Sequence, residues 1–199
     1  IMANLRYSSD DATVSINRMS DGLKGLPTSL DSMTGMVTQL APLTGGLDQA
    51  TDLSLALNNA LLAGGKSTVI QANAMEQYTQ MLSVGKVDMA AWRSMITAMP
   101  GQMNQLAISL LGTGNNAMDL YDAMQNGTIS FEQFNAEILK LNSEGLPGFA
   151  SFTQQAKDST SGISTAFANL QTAITRSLAN IIQAIGAERI AGVINSIGD

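Results

Sequence analysis

The sequence predicts an all-α fold: a compact multi-helix bundle that contains two similar helix–turn–helix units and is followed by a long C-terminal helix. Apolar residues recur every three or four positions along much of the chain, which is the period of one helix face. Glycine and proline interrupt this pattern repeatedly, so the helices are expected to fold back on one another. The length of 199 residues is enough for one well-packed core.

Three helices are predicted ahead of the first unit. Residues 10–24 form a moderately amphipathic helix, and a glycine–proline break follows it. Residues 30–40 form the second helix, for which Thr28 or Ser29 provides the N-cap. Residues 47–63 form the third, and because leucines occur on more than one of its sides it is predicted to be central.

Residues 71–103 predict the first helix–turn–helix unit. Gly85 ends its first helix, since glycine readily adopts the left-handed conformation, and Asp88 is placed to cap the second helix. The pattern returns 42 positions later, where Gly127 provides the turn and Ser130 begins a capping box. The apolar positions of the two units coincide at this offset: Tyr78 with Leu120, Leu82 with Met124, Met89 with Phe131, Trp92 with Phe134, Ile96 with Ile138, and Met99 with Leu141.

The last part of the chain predicts one long helix with an apolar stripe on one side. The stripe has nearly heptad spacing, which is typical of helices that associate. Two interpretations stay open: homo-oligomerisation through the stripe, or packing of the helix back on the bundle. The second is favoured because charges beside the stripe are almost absent. The stripe consists of Ile163, Phe167, Leu170, Ile174, Leu178, Ile181 and Ile185.

The breaks predict three parts of the chain. Residues 1–24 are an N-terminal helical arm, residues 25–150 are the helical bundle domain, and residues 151–199 contain the long C-terminal helix. The chain opens with Ile1 and ends inside an apolar helical pattern, so we expect it to be a piece of a longer protein.

Composition argues against several classes of function. The chain has no cysteine, which excludes a disulfide framework and a thiolate metal site, and no histidine, the commonest general base. The net charge is −6 and the basic residues are scattered, so sequence-specific nucleic-acid binding is not expected. No apolar run reaches the roughly 20 residues that span a bilayer. Only 13 % of residues are charged, which suits packing against other protein copies or a partner, and an ordinary neutral surface is an equally good interpretation.

Residues 122–133 resemble a calcium-binding EF-hand loop, but the match fails at two ligand positions. Met124 stands at position 3, and Gln133 stands at position 12, where a bidentate Glu is required. A glycine turn followed by a helix cap produces the same letters without an ion. Residues 64–67 resemble the end of a phosphate-binding loop, but they lack its first glycine and a preceding strand.

No pair of acids indicates catalysis. Glu132 and Glu137 are most simply explained as solvated helix faces. We therefore predict no catalytic, cofactor-binding or metal-binding residue, no cofactor, and no enzymatic activity. An enzyme without histidine or cysteine, such as a cell-wall hydrolase, would need a carboxylate pair in a cleft.

Four consecutive blocks of the sequence carry a family resemblance. They read LAPLTGGLDQATDLSLALNNALLAGG, QANAMEQYTQMLSVGKVDMAAWRSMITAMPGQM, NGTISFEQFN and GISTAFANLQTAITR. In this order they resemble the N-terminal conserved region of tail tape measure proteins from long-tailed bacteriophages and prophages. The resemblance runs from about Gly25 to Arg176.

The resemblance implies a structural protein inside the virion tail, present in the host bacterial cytoplasm during assembly. It implies a scaffold that helps to set tail length, with tail tube proteins, tail assembly chaperones and other copies of itself as partners. The C-terminal helix would then lead toward the tape-measure rod. An alternative is a membrane-active module that assists genome ejection through the isoleucine-rich end from Leu178.

Overall fold

The computed structural model of the chain describes residues 8–161. These belong to the first of the chain's two units, residues 1–161 and 162–199. The predicted long helix from Ile163, with its apolar stripe, lies outside the described residues, and so does the isoleucine-rich end.

The described part is helical, which confirms the predicted all-α bundle. Its one bridge between extended residues joins Leu146 and Phe149. In chain order the elements are α1 (Ser9–Gly22), α2 (Leu30–Leu40), the 3-10 turn η1 (Ala41–Leu43), α3 (Leu47–Ala63), α4 (Thr68–Val84), α5 (Met89–Ala98), α6 (Pro100–Leu111), α7 (Ala117–Gln125), α8 (Phe131–Ser143) and α9 (residues 152–161).

Helix α3 is the centre of the bundle, as its sequence predicted. It packs against α1, α2, α4 and α8. Its buried residues occur on all sides and include Leu53, Leu57 and Leu61, each at most 2 % exposed. Burial of one such leucine stabilises the fold by about 1.5–3 kcal/mol. The mixed apolar pattern of this helix therefore reflects neighbours on several sides.

The predicted turn and cap residues of both units are confirmed. Gly85 has a φ of 71° and Gly127 a φ of 80°, both in the left-handed region that favours glycine. The Asp88 carboxylate accepts the backbone N–H groups of α5 at 2.9 and 3.0 Å. Ser130 and Gln133 exchange two hydrogen bonds, which forms the capping box at the start of α8.

Helix α6 connects the two units and contributes to the core. Met99 alone separates it from α5, and Pro100 is its first residue, a position where proline needs no backbone N–H. Met103 and Leu106 are fully buried. The helix packs against both α7 and α8, so it forms part of the support for the second unit.

Helix α1 packs on α2 and α3 through one buried apolar residue and a polar face. Met19 is fully buried, and the hydroxyls of Ser15 and Thr51 lie 2.7 Å apart in the core. Arg18 forms ion pairs with Asp48 and Asp52 of α3. The division of the chain after residues 24 and 150 stays a prediction.

Candidate functional site

Trp92 joins the two helix–turn–helix units. Its side chain belongs to α5 of the first unit, is 0 % exposed, and contacts both helices of the second unit. Its ring centroid lies 6.1 Å from that of Tyr121 in α7 and 5.7 Å from that of Phe134 in α8. The indole N–H donates to the carbonyl oxygen of Ala117 at 2.8 Å. The ring is therefore fixed by both packing and a hydrogen bond.

The two units contact each other at one pair of equivalent positions. Trp92 and Phe134 correspond in the repeat, and their rings are in contact. A second contact runs between α4 and α8, where the Tyr78 hydroxyl donates to the Asn135 side-chain oxygen at 2.6 Å. Burial raises the pKa of Tyr78 well above its ordinary value, so this hydroxyl keeps its proton near neutral pH.

The helices of the two units pack differently. In the first unit, α4 and α5 lie against each other along much of their length. In the second, α7 and α8 both pack against α6 and make only slight contact with each other. Trp92 fills the space between α7 and α8, because it touches Tyr121 on one helix and Phe134 on the other.

A solvent-open groove of about 440 Å³ lies where η1 and the start of α3 meet the end of α4 and α8. Its walls are largely apolar, and Glu132 is its single charged residue. The groove has the size and polarity to accept apolar side chains of another protein. Its apolar lining consists of Leu43, Leu53, Leu82, Phe131, Ala136 and Leu139.

The EF-hand-like segment uses its polar atoms on its own backbone. The Asn126 side-chain oxygen accepts the Thr128 backbone N–H at 3.0 Å, and Ser130 with Gln133 closes the cap of α8. Within residues 8–161 there is no group of three or more acidic side chains placed to hold a metal ion. A turn and a helix cap therefore account for the motif.

The two glutamates considered for catalysis lie in different surroundings. Glu132 lines the groove. Glu137 is only 13 % exposed, accepts a hydrogen bond from Ser109, and pairs with Lys140 at 3.1 Å. A hydrogen bond and an ion pair therefore hold this second carboxylate, and the expectation that it lies on a solvated helix face is wrong for Glu137. The prediction that no residue is catalytic, binds a cofactor or binds a metal stays a prediction.

Gly64, in the segment that resembles a phosphate loop, has a packing role. The preceding element is the helix α3, whereas a phosphate loop follows a strand. A side chain added at Gly64 would come within 2.0 Å of the carbonyl oxygen of Ala98. Glycine is therefore required here because the end of α3 meets the end of α5 at close range.

Helical periodicity did not reveal a set of uncharged polar residues beneath α9. Gln102 and Gln105 of α6 are at most 5 % exposed, as is Asn59 of α3. Their amides bond to the side chains of Gln155 and Thr153. Glutamine and asparagine usually indicate exposed positions, so only the unusual density of amides in this sequence hints at such contacts.

No helix within residues 8–161 combines the length and the hydropathy needed to cross a membrane. The alternative of a membrane-active module rested on residues after Leu178, which the structure does not describe.

The chain matches a family model over most of its length. The model described as tape measure protein matches residues 1–183, so it includes the blocks from Gly25 to Arg176 and also the first 24 residues. The comparisons with curated proteins and with solved structures give no match. A family match over most of the chain, together with an all-α bundle, identifies the chain as a member of the tape measure protein family, the structural proteins of phage tails.

Proposed function

We propose that this chain acts as a folded scaffold module in the assembly of a phage tail tube and that the segment after it helps to set tail length. The family match over residues 1–183 is the observation that carries this proposal. The continuous core of residues 8–161 supports a structural role, because its buried groups are used in packing and helix capping.

The geometry separates two contributions to tail length. Residues 8–161 as one straight helix would span roughly 230 Å at 1.5 Å per residue. The longest helices of the bundle, such as α3, have 17 residues and span roughly 25 Å. The folded module is therefore expected to add little length, and the predicted helix after residue 162 is expected to contribute to the ruler.

The proposed partners are tail tube proteins, tail assembly chaperones and other copies of the chain. The location would be the tail interior and, during assembly, the host bacterial cytoplasm. The groove beside Phe131 and Leu139 offers an apolar contact surface. A surface with few charges presents little electrostatic repulsion to close neighbours.

Point variants in the phage or prophage test the scaffold role without changing chain length. Trp92→Ala removes the contact between the two units, whereas Arg93→Ala alters the exposed neighbouring residue and serves as the control. Electron microscopy should show far fewer tails of normal length for Trp92→Ala only. Normal tails that fail to deliver the genome would contradict the scaffold role and favour the membrane-active alternative.

An in-frame deletion of residues 163–185 tests the ruler role. If this segment lies extended as a helix in the tail, tails should shorten by roughly 35 Å, at 1.5 Å per residue. Tails of unchanged length would contradict the ruler role of this segment. The scaffold role is tested separately by the point variants.

A further inference from the structure

Helix α9 is held on the bundle mainly by uncharged polar side chains. We call this set of contacts the α9 seam. It joins residues of α3, α6 and α8 in the bundle to residues of α9. The α9 seam consists of Asn59, Gln102, Gln105, Asn142, Thr153 and Gln155.

Gln155 bonds to both buried glutamines of α6 in the α9 seam. Its side-chain oxygen accepts the Gln102 amide at 2.7 Å, and its own amide donates to the Gln105 side-chain oxygen at 2.9 Å. The amide also donates to the carbonyl oxygen of Ala150 at 2.6 Å. One side chain therefore links α9 to α6 and to the loop before α9.

Thr153 connects α9 to α3 and α8. Its hydroxyl donates to the backbone carbonyl of Asn142 at 2.8 Å. The Asn59 amide lies 3.3 Å from the same hydroxyl and donates to the Asn142 side-chain oxygen at 2.9 Å. These bonds are neutral, so salt does not screen them.

The α9 seam leaves two buried oxygen atoms without a hydrogen-bond partner, the side-chain oxygens of Asn59 and Gln102. When α9 leaves the bundle, water reaches both oxygens and every amide of the α9 seam. Release of α9 thus exposes a polar surface over much of the contact.

Two apolar residues stabilise the docked state of α9 and so oppose its release. Phe152 and Ala156 are both 0 % exposed and hold α9 against the core. The loop before them contains a tight turn in which the Phe149 backbone N–H donates to the Leu146 carbonyl at 2.7 Å, with Pro147 and Gly148 at its centre. This turn bonds within itself and does not depend on the α9 seam.

We propose that α9 is a releasable strap, which detaches from the bundle while α1–α8 stay folded. Local opening of this kind has a lower free energy than global unfolding when few apolar contacts break. Only Phe152 and Ala156 leave the core, whereas water replaces the amide contacts. Because α9 directly precedes the segment after residue 162, its release lengthens the free stretch of chain that joins α1–α8 to that segment during assembly or ejection.

Hydrogen exchange of the full chain, followed by mass spectrometry, tests the strap. Backbone amides of residues 152–161 should exchange at least about tenfold faster than those of α3 and α5, since they open separately. Gln155→Ala should speed exchange in residues 152–161 by a further factor of about ten. Gln154→Ala, next to it, changes an exposed side chain that bonds only within α9 and should have no effect.

Two phenylalanines of equal burial give the decisive comparison. Phe152 in α9 and Phe134 in α8 are both 0 % exposed. Phe152→Ala should speed exchange in residues 152–161 on the order of 100-fold and leave the urea midpoint of Trp92 fluorescence unchanged, whereas Phe134→Ala should lower that midpoint. The proposal is overturned if Phe152→Ala lowers the midpoint as Phe134→Ala does, or if residues 152–161 exchange only as slowly as α3.

Discussion

The two helix–turn–helix units share their local chemistry but differ in how their helices pack. Each unit turns at a glycine with positive φ and starts its second helix with a side-chain cap. In the first unit the helices pack on each other, whereas in the second they pack on α6. Local sequence therefore determines where the chain turns, and long-range partners determine whether the two helices then meet.

The difference has a physical origin in helix length and in one side chain. Helix α4 has 17 residues and offers a long face to α5, whereas α7 has only nine residues. Trp92 of the first unit then occupies the space between α7 and α8. Because the second unit lacks an equally long first helix, it completes its core with a residue from the first unit.

The largest expected effect comes from removing the side chain that the two units share. Trp92→Ala should lower the free energy of unfolding by about 3–5 kcal/mol, since it leaves a cavity and removes the hydrogen bond to the Ala117 carbonyl. Urea unfolding followed by far-ultraviolet circular dichroism measures this. A loss below about 1 kcal/mol, as is expected for the exposed control Arg93→Ala, would mean that the units are joined elsewhere.

The contact between Tyr78 and Asn135 gives a smaller, pH-dependent effect. Tyr78→Phe should lower the free energy of unfolding by about 1 kcal/mol at neutral pH, since it removes one hydrogen bond. The folded-state pKa of Tyr78 is raised above its ordinary value of 10.0, so the unfolded state loses its proton first. The stability that this group contributes is complete below pH 10 and falls as the pH rises further.

Comparison of the wild type with Tyr78→Phe between pH 7 and pH 11 isolates this contribution. The wild type should lose stability faster above pH 10, because its unfolded state then binds fewer protons than its folded state. Parallel pH profiles for the two proteins would show that the hydroxyl is not buried as described.

The turn glycines should give equal and moderate effects in the two units. Gly85→Ala and Gly127→Ala should each lower the free energy of unfolding by about 1 kcal/mol, because a residue with a side chain is strained at positive φ. An added side chain meets no atom within 4 Å at either position, so backbone strain is the only cause. Thermal unfolding of the two variants measures both losses of stability. A loss in only one unit would mean that the two turns are alike in sequence but not in their contribution to stability.

The smallest effects are expected at the helix caps. Asp88→Ala and Ser130→Ala should each lower the free energy of unfolding by about 0.5–1 kcal/mol, since each removes an acceptor for backbone N–H groups at a helix start. Asp88→Asn and Ser130→Thr keep an acceptor and serve as controls. If an alanine variant and its control variant lower the urea midpoint equally, the capping hydrogen bond contributes nothing to the stability of the fold.

The sequence predicted the parts of the fold that depend on neighbouring residues. Gly85, Asp88, Gly127 and Ser130 follow rules that act within four or five positions, and the structure confirms all four. The many-sided burial of α3 was also visible, because leucine occupied more than one of its faces. Local rules were sufficient for the helices of the two units and their ends, whereas α9 at residues 152–161 was not predicted as a separate helix.

Contacts between distant residues could not be predicted in the same way. Trp92 meets the carbonyl of Ala117, 25 positions away, and Gln155 meets Gln105, 50 positions away. Periodicity indicates that a residue is buried but does not identify its partner. Polar burial beneath α9 goes against the usual preference of glutamine for the surface, so no pattern in the sequence marked it.

The emission of Trp92, the chain's single tryptophan, tests the joined-unit fold most directly. In the native full-length chain we predict short-wavelength emission that resists quenching by acrylamide and shifts in one step as urea is added. Emission at the wavelength of a water-exposed indole before any urea is present would contradict the account, because Trp92 would then lie outside the second unit.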